Sequence, residues 1–189
     1  IDLLAQAAIS VGVEIETSAT VTQVEDPVVL AIPPQEVEAL LGRPIDRPSA
    51  IRMACLDLGL SSLPEGAAHF ALSADEPMYL SVQSQWAKIA HNGSTVHVAQ
   101  YRRTGDSVER ADLEAFADIV MPGWREQVLT SRYLPEMIVV HAAPSVAGRP
   151  AVDALGIEGV RIAGDWVGPH GMLADAATES GLAAAASLA

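Results

Sequence analysis

The stretch VRIAGDWVGPHGMLADAATESGLAAAASLA, residues 160–189, constrains the fold of this chain more than any other. VRIAG is a short apolar run ending in glycine, which predicts a buried strand whose last residue permits close approach of backbone or ligand. Asp165 stands where that strand ends. Gly168 and Gly171 then release the chain into a turn, and the spacing predicts a helix from near Met172. A helix start carries unpaired N–H groups and about half a positive charge, so it attracts an electron-rich group. A carboxylate at the neighbouring strand tip suits hydroxyls, whose hydrogen bonds it accepts. One ligand meets both demands if a polyol chain is joined to an electron-accepting ring.

The start of the chain reads as a second part of an α/β layer. Leu3, Leu4, Ala7 and Ala8 recur at helical spacing and end near Gly12; Ile1, with no Met before it, falls within that helical pattern. Two β-rich runs follow at residues 13–17 and 20–24. PVVLAI is a continuous apolar run, as expected of a strand buried on both faces. Pro33-Pro34 stops it, and QEVEALLG predicts a short helix closed by Gly42.

Residues 50–103 are strand-rich, with AIRMACLDLGL, AHFALS, MYLSVQ and STVHVAQYR separated by turns such as HNGS. In SVERADLEAFADIVMPGW, Leu113, Phe116, Ala117 and Val120 form a helical stripe that Pro122-Gly123 ends. EQVLTSRYL and MIVVHAA predict two further strands, and PSVAGRPAVDALGIEG a loop. The expected fold is an α/β layer of partial Rossmann-like type plus an α+β region built on a mixed, largely antiparallel sheet with covering helices. The divisions fall at residues 1–42, 43–150 and 151–189.

Composition then removes several classes of function. Half of the 189 residues are hydrophobic and only 19% are charged, which leaves apolar surface to meet another domain, an apolar ligand or a second copy in a homo-oligomer. A net charge of −13 argues against nucleic acid as a partner, since phosphate binding needs a basic stripe. Lys88 is the sole lysine, and Arg102-Arg103 is the densest basic cluster, so charge-driven docking on anionic membranes is not expected. The single cysteine, Cys55, excludes an internal disulfide and fits a reducing, cytoplasmic setting. Apolar runs are too short to span a bilayer. His69, His91, His97, His141 and His170 show no metal-ligand spacing, and ESG lies in a helix rather than a nucleophile elbow.

Flavin is a polyol joined to an electron-accepting ring. GVRIAGDWVGPHGMLADAATESGLAAA resembles the C-terminal FAD-binding segment of the FAD-dependent amine oxidase, phytoene desaturase and protoporphyrinogen oxidase superfamily. LLAQAAISVGVEIETSATVTQV with VVLAIPP is similar to that family's central helix and adenine-side strands. PGW with RYLPEMIVVHAAPSVAGRP resembles the approach to its last segment. The resemblance implies FAD as cofactor and hydride or two-electron oxidation of a small molecule. It implies that Gly164 and Asp165 contact the ribityl-phosphate region and that Gly171, Met172 and Leu173 present backbone to the isoalloxazine, with the Leu173 N–H donating to its O2. It further implies that Val21 offers backbone to the adenine and that Ala31 and Pro33 lie near the cofactor.

The family's G-x-G-x-x-G fingerprint is absent from these residues and is expected from a missing N-terminal part of the FAD site. No catalytic side chain is assigned. Trp166 suits either a cover for the flavin or core filling, while Trp86 and Trp124 read as packing residues and Gly181 as a site of close helix–sheet packing. His91 and His97 fit a strand surface, Cys55 an inert core thiol, and Lys88 lies outside the site. The apolar ACLDLGL and MYLSVQ runs are expected to wall a hydrophobic substrate. The alternative is a non-catalytic binding module that keeps the architecture without working FAD binding.

Overall fold

The computed structural model describes residues 2–102 and 105–189; the Arg103 end of the strand-rich region and the Ile1 start of the first helix lie outside them. The described residues form a mixed α/β structure with two sheets. The larger contains β2 (Ile51–Leu60), β3 (Phe70–Leu72), β4 (Met78–Val82), β5 (Ser94–Arg102) and β6 (Val128–Val140), in the order β3-β4-β5-β2-β6 with every pair antiparallel. The smaller is a parallel pair of β1 (Val28–Leu30) and β7 (Val160–Ile162).

Alternation along the strands decides what faces what. Ala54, Leu56, Leu58 and Leu60 of β2 join Leu80, Val82, Val96 and Val98 in a core closed by Leu113, Ala117, Met121 and Trp124. Leu113 and Ala117 belong to α3 (Arg110–Val120), whose apolar stripe packs over the sheet as its spacing predicts. Each leucine buried there contributes about 2 kcal/mol. A capping box starts this helix: Glu109 and Asp112 each bond the other's backbone N–H. Arg110 and Arg125 hold Glu114 below the usual carboxylate range, mainly through hydrogen bonds.

The two faces of the sheet divide the ACLDLGL and MYLSVQ runs. Their leucines pack in the core under α3, so an apolar wall on the open face falls to their other residues. Met53, Cys55 and Ala99 are instead buried on the opposite face, beside Tyr79, Leu134, Met137 and Val139. There Cys55 Sγ lies 3.3 Å from Met137 Sδ. Burial, with Asp57 adding to it, pushes the thiol up to about 11. The thiolate is the reactive form, so Cys55 in the native protein is expected to resist a thiol-reactive disulfide reagent at pH 8 and to react fully once denatured. A time course of labelling with and without urea checks this.

The predicted strands EQVLTSRYL and MIVVHAA are one strand, β6. Its register against β2 shifts where Leu134 and Met137 oppose Cys55 and Met53. Pro135 has no N–H for a ladder, and the edge position of β6 tolerates the resulting irregularity.

The smaller layer pairs β1 and β7 with α2 (Pro34–Leu41) and α4 (Ala174–Ala186). Gly42 caps α2, as the sequence predicts, and Pro34 opens it one residue before the expected start. Leu30, Val37, Ala142, Leu155, Val160, Ile162, Trp166 and Val167 form its core. Trp166 is a core residue here, 1% exposed, with its indole N–H donated to the Ile32 carbonyl at 3.2 Å.

Three further readings need correction. Residues 13–17 and 20–24 are not strands: among the described residues nothing pairs with them, and an unpaired ladder gains no hydrogen bonds. Ser18, at φ 60°, also breaks the extended backbone between them. Gly181 has open space where a Cβ would stand, so close helix–sheet packing does not explain it. Trp86 is 71% exposed and packs no core, whereas Trp124 is buried and donates to Asp118 at 2.8 Å. Helix α1 (Asp2–Ser10) forms but buries none of its residues. Among the described residues no helix is long and apolar enough to cross a membrane.

Candidate functional site

Parallel pairing places the C-terminal ends of β1 and β7 side by side, the position at which α/β sheets bind ligands. Ala163 N–H donates to Leu30 C=O at 3.1 Å, so Ala31 and Gly164 leave the sheet together. Pro33 follows as the residue preceding the first turn of α2. Gly164 has φ 147°, and a Cβ there would come within 2.9 Å of the Trp166 indole nitrogen. Its N–H donates to the buried Ser180 hydroxyl at 3.0 Å, which ties α4 to the strand end.

Asp165 already has a protein partner. Its Oδ2 accepts the His141 backbone N–H at 2.9 Å and its Oδ1 lies 3.0 Å from His141 Nδ1. Both side chains are largely buried. The carboxylate therefore fastens the end of β6 to the tip of β7. Each oxygen keeps a second lone pair for another donor.

Helix α4 begins at Ala174, two residues later than the spacing predicts, because Leu173 departs from helical geometry with φ 52° and ψ −122°. That is strained territory for a residue with a Cβ. Gly171 just before it has φ 65°, and a Cβ there would meet Asp175 Cβ at 2.8 Å and the Ala176 nitrogen at 2.9 Å. The N–H groups of Met172 and Leu173 make no hydrogen bond among the described residues, and both side chains are about half exposed. The first amides of any α-helix lack an intrahelical partner, and these two lie just before that position.

Arg149 organises this turn and was not anticipated from the sequence. Its Nε donates to Gly168 C=O at 2.6 Å, Nη2 to His170 C=O at 2.7 Å and Gly171 C=O at 2.9 Å, and Nη1 reaches Asp165 C=O at 3.4 Å. A planar fork of donors suits a cluster of carbonyls. The signal available was a lone arginine between Gly148 and Pro150 in an acidic chain. Beside it lies a cavity of about 420 Å³, lined by Ala142, Gly148, Arg149, Gly168, Gly171 and Met172 among others.

Gly164, Asp165, Gly171, Met172 and Leu173 thus share one turn, and Ala31 and Pro33 lie along the strand end next to it. Val21 stands outside this cluster in the unpaired segment, 69% exposed.

A second cluster crosses the open face of the larger sheet. Asp57 on β2 is in register with His97 on β5 and Arg132 on β6. Asp57 Oδ1 lies 2.6 Å from His97 Nδ1, and Arg132 Nη2 donates to Oδ2 at 2.9 Å. Burial works to raise the Asp57 carboxyl, but hydrogen bonds and charge from His97 and Arg132 outweigh it and hold the group below its usual range. A cavity of about 580 Å³ lies over this trio. Among the described residues no three His, Cys, Asp or Glu side chains are placed to hold a metal ion.

No model of a known protein family matches this chain. No curated protein matches it either.

Proposed function

We propose that this chain is the substrate-side and C-terminal cofactor portion of an FAD-dependent oxidoreductase of the amine-oxidase and phytoene-desaturase type. The observation that carries the reading is the turn after β7: Leu173 is held at positive φ with its amide and that of Met172 unpaired, next to the aligned ends of two parallel strands. Strain of this sort persists only where surroundings enforce it, and it gathers at ligand sites. A flavin's pyrimidine edge fits these donors. Its ribityl hydroxyls fit the spare lone pairs of Asp165, with Gly164 admitting close approach. Ala31 and Pro33 flank the same strand end, and Val21 is assigned to the adenine side. Flavin, when bound, accepts a hydride or two electrons, and the chain's contribution is to orient it and to stabilise its reduced form.

In this reading the β1–β7 layer is part of a Rossmann-like domain, and a separate N-terminal part carrying the glycine fingerprint completes the FAD site. The divisions at 1–42, 43–150 and 151–189 follow from it, as do an apolar small-molecule substrate, a cytoplasmic location and the option of a homo-oligomer through exposed apolar surface.

A non-catalytic binding module is the second reading, and the commitment of both Asp165 oxygens to His141 favours it. An absorption spectrum of the purified full-length protein, including the part that carries the glycine fingerprint, distinguishes the two; these 189 residues alone are not expected to hold FAD tightly. Flavin bands that survive gel filtration, and at least a tenfold weaker FAD retention in Asp165→Ala, are the expected results. A colourless protein that takes up no added FAD would sink the oxidoreductase reading.

A further inference from the structure

The cavity over β2, β5 and β6 is walled mostly by carbon, yet holds two polar groups with unused capacity. Beside the Asp57–His97–Arg132 trio it is lined by Tyr79, Ile89, Thr95 and Thr130 among others. The Thr95 hydroxyl is buried without a hydrogen-bond partner among the described residues, an unfavourable state that a ligand oxygen would relieve. His97 has a second unused group. Asp57 is ionised and acceptor-only, so the 2.6 Å contact requires the hydrogen on His97 Nδ1. In its neutral form the imidazole presents Nε2 as a lone pair, and Nε2 has no partner among the described residues.

Charge narrows the ligand further. Arg132 bonds Asp57 through Nη2 and Nε, so the trio's cation and anion offset each other. A neutral ligand is suited better than an ion. The Tyr79 ring, 5.8 Å from the His97 ring, adds an aromatic wall and is itself followed by Phe70 and Tyr101 at 6.4 and 6.5 Å. Centroid distances of this size are those of favourable ring contacts.

We propose that the cavity on the open face of the five-stranded sheet binds a neutral, largely apolar molecule through one hydroxyl, whose proton His97 Nε2 accepts and whose oxygen Thr95 can bond. Asp57 is the positioning residue that fixes the imidazole tautomer. The inference deepens the functional reading by naming the substrate class of its substrate side. It relies on none of the residues that would touch FAD, so the two can fail separately.

The probe is 2-naphthol, titrated calorimetrically into the purified protein with and without added FAD, and naphthalene is the control with the same rings and no hydroxyl. Saturable 2-naphthol binding is expected, at least fivefold tighter than naphthalene. His97→Ala should erase that preference, whereas His97→Gln, which keeps an acceptor, should restore part of it. Asp57→Asn should reduce the preference while leaving naphthalene binding unchanged. The naphthol-to-naphthalene ratio in the wild-type protein needs no variant to fold. A ratio of one, or an undiminished ratio in folded His97→Ala, would overturn the proposal. Flavin uptake, read in the same samples by absorption, reports on the oxidoreductase reading without bearing on this ratio.

Discussion

Trp166→Ala is expected to lower the unfolding free energy by about 3–5 kcal/mol, the usual cost of removing a buried aromatic ring. The side chain fills the centre of the smaller core and gives its only N–H to the Ile32 carbonyl. Truncation leaves a cavity and a half-buried carbonyl without that partner. It also removes the indole that packs against Gly164 at the strand tip. Trp166→Phe should recover most of the loss, since it restores much of the volume and forfeits mainly one hydrogen bond of about 1 kcal/mol. Urea denaturation followed by circular dichroism measures both. A midpoint for Trp166→Ala within error of the parent would mean that the closing segment is not docked on β1.

Arg149→Met should cost about 2 kcal/mol and loosen the turn at residues 165–173 more than the rest of the chain. One guanidinium serves four carbonyls there, and methionine of similar length supplies no donor. The low end of the range for charged hydrogen bonds applies because the group is partly solvated. Arg149→Lys should recover little, since an ammonium cannot reproduce the planar fork. Hydrogen exchange over residues 165–177 and limited proteolysis would reveal the local opening. On the oxidoreductase reading the same substitution also releases FAD, because Met172 and Leu173 lose their fixed positions. Unchanged exchange in this turn would show that Arg149 is a bystander.

What the sequence made legible was local. Alternation in β2 and β5, the apolar stripe of α3 and the Pro/Gly punctuation around α2 each specify an element by itself. Residues 13–24 misled because β-branched residues state a preference that only a neighbouring strand can satisfy. ACLDLGL left a different point open. Its hydrophobic content was plain, but which face met α3 depended on register, and with it the placing of Cys55 and Asp57 on the open side. The tail was legible as strand, glycine turn and helix. Arg149 and His141 were not, since their partners lie 16 to 24 residues away in sequence. His97 and Asp57, 40 residues apart, meet only because β2 and β5 are neighbours.

The contact between Ile32 and Trp166 joins residues 134 positions apart. Contacts of such separation form slowly, since the chain must search before any enthalpy is returned. The five-stranded antiparallel sheet between them relieves that search once it has folded, for it works as a spacer that carries β7 back to β1. Sequence separation therefore predicts an order of assembly, spacer first and parallel pair last. Ligand affinity at the strand ends inherits that order, and any lesion that delays the spacer withholds the pocket even when every residue lining it is intact.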